Sequence, residues 1–233
     1  MGGPRPRERA GTSRGHIYCL TRLVPGAAVP YEPPGQRRRR GQDLARLQLA
    51  LRGLADRLGQ RPGWRPQHTA TTVHRDLDVE GCLAAVADFD ARVAEWVRQA
   101  AEELQRDLGR LGAHALPTTV VHGDFAPWNV HYEGGRLASV IDFGLTHLDS
   151  RPYELAIART YRAPEAVEGY CDELARHGWP LDDLERAAIA PVYRAFRVDM
   201  AMWQLDHGRR TGVYDLAMIE RQLVRTGTSQ PRR

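Results

Sequence analysis

His122-Gly123-Asp124-Phe125-Ala126-Pro127-Trp128-Asn129 runs straight into Val130-His131-Tyr132, and Val140-Ile141-Asp142-Phe143-Gly144 follows after a short polar turn. The chain before His122 reads Thr118-Thr119-Val120-Val121, a β-branched run suited to a buried strand. Glu133-Gly134-Gly135 separates Val130-His131-Tyr132 from Arg136 to Ile141, so two strand-like runs flank a Gly-rich turn. That pattern predicts a β-hairpin. Asp124 and Asn129 then lie on the loop entering the hairpin and Asp142 lies where it ends. Three polar side chains are expected together at one edge.

Such a set suits phosphoryl transfer, which needs a carboxylate to orient a hydroxyl and accept its proton, and oxygen ligands to hold Mg²⁺ against phosphates. Asp124 is the candidate base; Asn129 and Asp142 are the candidate metal ligands. The pattern His-Gly-Asp, four residues, Asn, followed by Ile-Asp-Phe-Gly, resembles the small-molecule kinases of the aminoglycoside phosphotransferase and choline kinase superfamily. Homoserine kinases of the second type look similar too. The resemblance covers residues 16–225 and implies ATP as phosphate donor, Mg²⁺ as cofactor and a small-molecule hydroxyl as acceptor. It also implies that His122 braces the loop and that Gly123 lets it turn tightly. A hairpin with incidental surface acids is the competing explanation, and two blocks in the right order argue against it.

The 233 residues allow one large domain or two small ones, and 42% hydrophobic content is enough for a packed core. The formal charge of +4 is uneven: residues 1–46 hold ten Arg against three acids, and the rest of the chain is mildly acidic. A basic body that would point to nucleic acid is therefore lacking. Every basic residue is Arg and none is Lys. Cys19, Cys82 and Cys171 lack metal-type spacing and read as free thiols in a reducing compartment. With no apolar run of membrane-spanning length and no signal-peptide core, the sequence predicts a soluble, cytoplasmic protein without a membrane partner.

The expected fold class is α+β and mostly α. It is a protein-kinase-like fold whose helical C-lobe carries a small catalytic hairpin. Residues 1–15, rich in Gly, Pro, Arg and Ser, are expected to be disordered. Residues 16–41 read as a hinge strand and a basic linker. Ile17 to Val24 forms the strand, stopped by Pro25-Gly26; by the resemblance, Leu20 and Arg22 would meet the nucleotide through their backbone, although an ordinary edge strand reads the same way. The run Arg37 to Arg40 sits among prolines and glycines and reads as solvated linker rather than an acidic-surface patch. Residues 42–117 read as helices. In the first, capped by Asp43, Leu44, Leu47, Leu51, Leu54 and Leu58 share one stripe. The second covers Val79 to Leu111, with Leu83, Val86, Phe89, Val93, Trp96, Val97, Ala100, Leu104 and Leu108 on its core face. His74-Arg75-Asp76-Leu77 imitates a protein-kinase catalytic loop, but Gly81 fills the Asn position.

Residues 118–150 hold the catalytic loop, the hairpin and the Asp-Phe-Gly segment, with 145–152 expected as a polar loop. Residues 151–225 hold the substrate-side helices, near 165–177, 181–207 and 213–225, and 226–233 reads as a frayed tail. Many relatives carry Asp-Leu-Ala where this chain has Glu154-Leu155-Ala156, which puts the inherited bracing role of Glu154 in doubt. Asp199, Trp203 and Asp206 are spaced to share one helix face, where two acids and an indole could receive a cationic acceptor such as an aminoglycoside or amino alcohol. A solvated face with Trp203 in the core is the other reading. Ala163-Pro164-Glu165 imitates a protein-kinase motif, so a protein kinase is the rival enzyme and a ligand-binding pseudokinase the non-enzymatic alternative. The superfamily covers the phosphates with an N-terminal β lobe that supplies a Lys. That lobe is expected to be largely absent here, with an upstream reading frame or a separate chain supplying it and the 233 residues alone inactive.

Overall fold

The computed structural model describes residues 9–13, 16–20, 24–29, 32–160 and 163–230. It begins with two antiparallel strands, β1 (Arg9–Ser13) and β2 (His16–Leu20), in register from Arg9 opposite Leu20 to Ser13 opposite His16. Disorder was the expectation for residues 1–15; at residues 9–13 β1 stands instead, a ladder held by backbone groups that does not need an apolar sequence, and the other residues of that stretch lie outside the described ones. The strand expected to reach Val24 is described as far as Leu20, and residues 21–23 lie outside the described residues. Arg22 lies outside the described residues.

A short β3 (Ala27–Ala28) leads to α1 (Pro34–Leu51). The basic linker is therefore also corrected, because Arg37 to Arg40 lie inside α1. Pro34 stands in its first turn, where a missing N–H costs nothing, and Arg is a good helix former. Arg37 pairs with Glu165 at 2.8 Å, and Arg38 pairs with Glu168 at 3.0 Å and with Asp172. These acids belong to α4 (introduced below), against which α1 packs. The two backbones approach so closely that a Cβ on Gly41 would overlap the Ala166 carbonyl oxygen. The leucine stripe is shorter than expected: α1 ends at Leu51, and Leu58 is 48% exposed.

Asp78 caps α2 (Val79–Leu111), its side chain accepting from the Gly81 amide at 3.0 Å. The helix ends at Gly112, left-handed at φ 70°. Cys82, Leu83, Val86, Val93, Trp96, Val97, Ala100, Leu104 and Leu108 form its buried stripe, each large apolar chain contributing about 1.5–3 kcal/mol. Phe89 does not join them and is 64% exposed. The next residue, Asp90, leaves helical geometry (φ −153°, ψ 96°), and the Phe89 ring lies 4.7 Å from the Tyr214 ring.

β4 (Thr118–Val121), β5 (Val130–Glu133) and β6 (Arg136–Val140) follow. β5 and β6 are the predicted hairpin, turned by Gly134 and Gly135 at positive φ, and β3 pairs with the outer edge of β5. The polar loop expected at 145–152 is replaced by β7 (His147–Ser150), antiparallel to β4, and by α3 (Arg151–Thr160). β7 is polar yet buried because its side chains are satisfied. Asp149 accepts from the Gln67 amide at 2.6 Å, lies 3.2 Å from His147 Nε2 and forms an ion-pair contact with His68. Burial pushes the Asp149 carboxyl up, but the hydrogen bond from His147 and the neighbouring His68 ring outweigh it and leave the group below the ordinary range.

The chain ends in α4 (Pro164–Arg176), α5 (Asp183–Thr211) and α6 (Leu216–Val224), close to expectation. α5 opens with a reciprocal capping box between Asp182 and Glu185. Glu185 also receives Arg151 from α3, which joins the two helices. α2, α5 and α6 enclose one apolar core; α1, the hairpin, α3 and α4 enclose a second. The frayed tail is corrected in part: Thr226 and Thr228 are buried, and Trp96 Nε1 donates to the Thr228 carbonyl at 3.1 Å. Among the described residues, no helix is long and apolar enough to cross a membrane. Cys82 and Cys171 are free thiols; Cys19 lies outside the described side chains.

Candidate active site

The site begins where β4 stops. His122 is fully buried, and its two ring nitrogens have distinct jobs. Nε2 donates to the Ile141 carbonyl at 3.0 Å and Nδ1 accepts from the Asp124 amide at 3.2 Å. A carbonyl can only accept and an amide can only donate, so the Nε2–H tautomer is fixed. Burial pushes the His122 pKa down, in keeping with a neutral brace. Gly123 adopts φ 84°, and a Cβ there would overlap the Leu145 carbonyl oxygen, so the backbone crossing requires glycine.

The Gly123 amide donates to Glu154 Oε1 at 2.7 Å. Glu154 therefore contacts the loop despite its extra methylene. Burial pushes its carboxyl up to about 7, against the lowering effect of the Gly123 hydrogen bond. The Asn129 side chain donates from Nδ2 to the Asp124 carbonyl and to Asp124 Oδ2, both at 2.9 Å. That leaves Asn129 Oδ1 as its remaining acceptor. Burial raises the pKa of half-buried Asp124 and the Asp142 charge raises it further, while the Asn129 hydrogen bond opposes both.

Asp142 is exposed at the end of β6 and is the only non-glycine with positive φ among the described residues (φ 61°, ψ 64°). Its Oδ1 accepts from the Gly144 amide at 3.3 Å, the short local bond that lets Asp tolerate this geometry. Left-handed backbone at a non-glycine costs about 1–3 kcal/mol, and such positions cluster at functional sites. The Ile141 amide donates to the Asn129 carbonyl at 3.0 Å, which ties the two predicted ligand segments together. No cluster of three or more His, Cys, Asp or Glu suited to a metal occurs among the described residues. One carboxylate and one amide oxygen are a donor set that fits Mg²⁺, which takes one or two carboxylates and fills its sphere with phosphates and water.

Leu20, the described member of the hinge pair, lies at the end of β2. The trio on α5 is divided. Asp199 is buried and accepts from the Val73 amide at 3.1 Å, so it does not share an open face with the other two. Helical spacing set its angle correctly, but the segment at 72–73 packs over that part of the face. Burial pushes its carboxyl up to about 6. Trp203 is 43% exposed rather than tucked into the core, and with Asp206 it lines a cavity of about 340 Å³. Trp64, His74, Asp76 and Arg210 complete the polar and aromatic part of its wall. Arg61 lies over the Trp64 ring at 4.4 Å and donates to the Gly144 carbonyl, so the cavity wall touches the Asp142 loop. Sequence reasoning missed Arg61 and Trp64, whose segment has no periodicity.

A model of the phosphotransferase enzyme family matches residues 3–191. The chain belongs to that family. Among curated relatives it is 30% identical to a homoserine kinase of Phenylobacterium zucineum, over 79% of this chain and 56% of that protein. It is 28% identical to a homoserine kinase of Caulobacter vibrioides, over 82% of this chain and 60% of that protein. The chain spans about half the length of the curated relatives it matches. Among solved structures, aminoglycoside phosphotransferase APH(4)-Ia in a complex with ADP and hygromycin B aligns with a TM-score of 0.63 at 21% identity, over 97% of this chain and 78% of that one. A choline/ethanolamine kinase family protein from Mesorhizobium loti aligns with a TM-score of 0.54 at 18% identity, over 95% and 71%. These likenesses show the kinase-like phosphotransferase fold.

Proposed function

We propose that this chain carries the catalytic centre of an ATP-dependent phosphotransferase whose acceptor is the hydroxyl of a small molecule: an amino alcohol, a homoserine-like compound or an aminoglycoside. The observation that carries this reading is the loop at 122–129. Asp124 is held there by His122, Glu154 and Asn129, beside the exposed Asp142. Asp124 orients the acceptor hydroxyl and takes its proton as the oxygen attacks the terminal phosphorus and ADP leaves. Asn129 and Asp142 would hold Mg²⁺. When bound, that ion neutralises charge on the phosphate oxygens. The raised pKa of Asp124 makes it a better proton acceptor than an exposed carboxylate.

The cavity with Asp76, Asp206 and Trp203 is the proposed acceptor site. Asp206 is paired with Arg210 at 2.8 Å, which leaves Asp76 as the cavity carboxylate without an ion pair among the described residues; that favours an ammonium-bearing ligand. The homoserine kinase and aminoglycoside phosphotransferase relatives support the same class. Ala163-Pro164-Glu165, the motif behind the rival protein-kinase reading, opens α4, and its Glu165 pairs with Arg37. With no lysine in the chain, we propose that a partner lobe supplies the cation over the donor phosphates. The test is ATP titration with and without Mg²⁺, on the chain alone and joined to any upstream coding sequence. Mg²⁺-dependent binding, tightened by an amino-alcohol acceptor, is the expected result. Binding indifferent to Mg²⁺ in both forms would overturn the reading.

A further inference from the structure

The four consecutive arginines of α1 do three different things. Arg37 and Arg38 pair with acids on α4, and Arg39 donates to the Gly135 carbonyl at the hairpin turn. Arg40 points inward, with only 2% of its surface exposed. Its Nε donates to both oxygens of Glu32, at 3.1 and 2.9 Å, and its Nη1 donates to the Phe125 carbonyl at 3.2 Å. Glu32 is itself buried, in the segment between β3 and α1.

Phe125 directly follows the proposed base. The peptide plane between Phe125 and Ala126 is held at both ends. Arg40 grips its oxygen, and its N–H, on Ala126, donates to the Asp124 carbonyl at 2.8 Å. The Phe125 side chain is buried against His122, with ring centroids 5.8 Å apart. Fixing this plane fixes the turn from which the Asp124 side chain leaves the backbone.

We propose that Arg40 is a positioning residue for Asp124, using the Glu32 carboxylate as its anchor and the Phe125 carbonyl as its handle. The proposal rests on the phosphotransfer reading for its kinetic consequence. Its structural consequence, a pinned loop at 123–130, stands apart from that reading. A guanidinium fork reaches both partners because its donors are spread over a rigid plane; an ammonium is a single point and keeps the charge beside Glu32 without spanning to Phe125.

The experiment uses Arg40→Lys, with Arg38→Lys as a surface control, and reads amide hydrogen exchange by mass spectrometry together with kinetics. In Arg40→Lys, the amides of residues 123–130 exchange at least ~10-fold faster, the scale of one lost buried hydrogen bond, while α2 is unchanged. The kcat falls by roughly 10–100-fold, the effect of a misplaced reacting group, with the nucleotide KM within about two-fold of wild type. If Arg40→Lys does not fold, Glu32→Gln combined with Arg40→Met removes both charges, leaves no lone buried ion and carries the same expectations. Unchanged exchange at 123–130 in a folded variant overturns the proposal, as does faster exchange with wild-type kcat. If wild-type protein, alone and joined to any upstream coding sequence, transfers no phosphate to any acceptor, the functional reading falls, and exchange at 123–130 still decides whether Arg40 pins the loop.

Discussion

Glu154 offers a sharp physical test because it is both buried and ionisable. Its ordinary carboxyl value is 4.5, and burial pushes it to about 7 in the fold. A group whose folded value is raised binds its proton more tightly folded than unfolded. Its stabilising contribution is therefore complete below the unfolded value and is lost as pH climbs through the folded one. The difference corresponds to about 3 kcal/mol in total, of which about 2–3 kcal/mol falls between pH 5 and pH 8. Glu154→Gln keeps an oxygen for the Gly123 amide and cannot ionise. Any constant cost of the new NH₂ group is the same at every pH, so the comparison is of slopes rather than absolute stabilities. Urea unfolding of both proteins at pH 5, 6, 7 and 8 measures it. Relative to wild type, the variant should gain about 2–3 kcal/mol on going from pH 5 to pH 8. Parallel pH profiles would show that Glu154 is not desolvated as the structure places it, and the account of the loop brace would fail with it.

Three further outcomes follow from the geometry. Asp142→Ala should leave the fold intact and abolish Mg²⁺-dependent nucleotide binding; unchanged Mg²⁺ dependence by calorimetry would remove Asp142 from the ligand set. Asp124→Asn should lower turnover by at least ~10²-fold with little change in nucleotide affinity, and wild-type turnover would show that the base lies elsewhere. Gly41→Ala should destabilise the α1–α4 contact by about 1–3 kcal/mol, because the added carbon has no space beside Ala166; a thermal midpoint equal to wild type would refute that close approach.

The loop at 122–129 and its hairpin were legible because their signals are local. A β-branched run, a Gly-Gly turn and two polar blocks lie within one stretch of chain, and backbone pairing follows from them. The first part of α1, Pro34 to Gly41, is not legible as helix in the sequence because its prolines and glycines read as linker punctuation. The acids that hold Arg37 and Arg38 in a helix lie far along the chain, on α4, where local periodicity has no access to them. β7 failed for a similar reason. His147-Leu148-Asp149-Ser150 is too polar to read as buried until His68 and the Gln67 amide are in place around Asp149. Asp199 illustrates the limit of helical arithmetic: spacing gives the angle around α5, and only tertiary packing says that the segment at 72–73 covers that angle. Glu154 was noticed for its position, but its reach to Gly123 depends on how closely α3 lies beneath the loop.

The central claim is that phosphate moves from ATP to a small-molecule hydroxyl at Asp124. It is tested most directly by following γ-labelled ATP with phosphorus NMR in the presence of Mg²⁺. Homoserine, choline and an aminoglycoside serve as acceptors and a generic protein as the competing one, with wild-type and Asp124→Asn proteins compared, each as the chain alone and joined to any upstream coding sequence. The account predicts a phosphomonoester on one of the small acceptors, formed by the wild-type residues and lost in the variant. Label appearing only on protein, or an equal yield from Asp124→Asn, would contradict it.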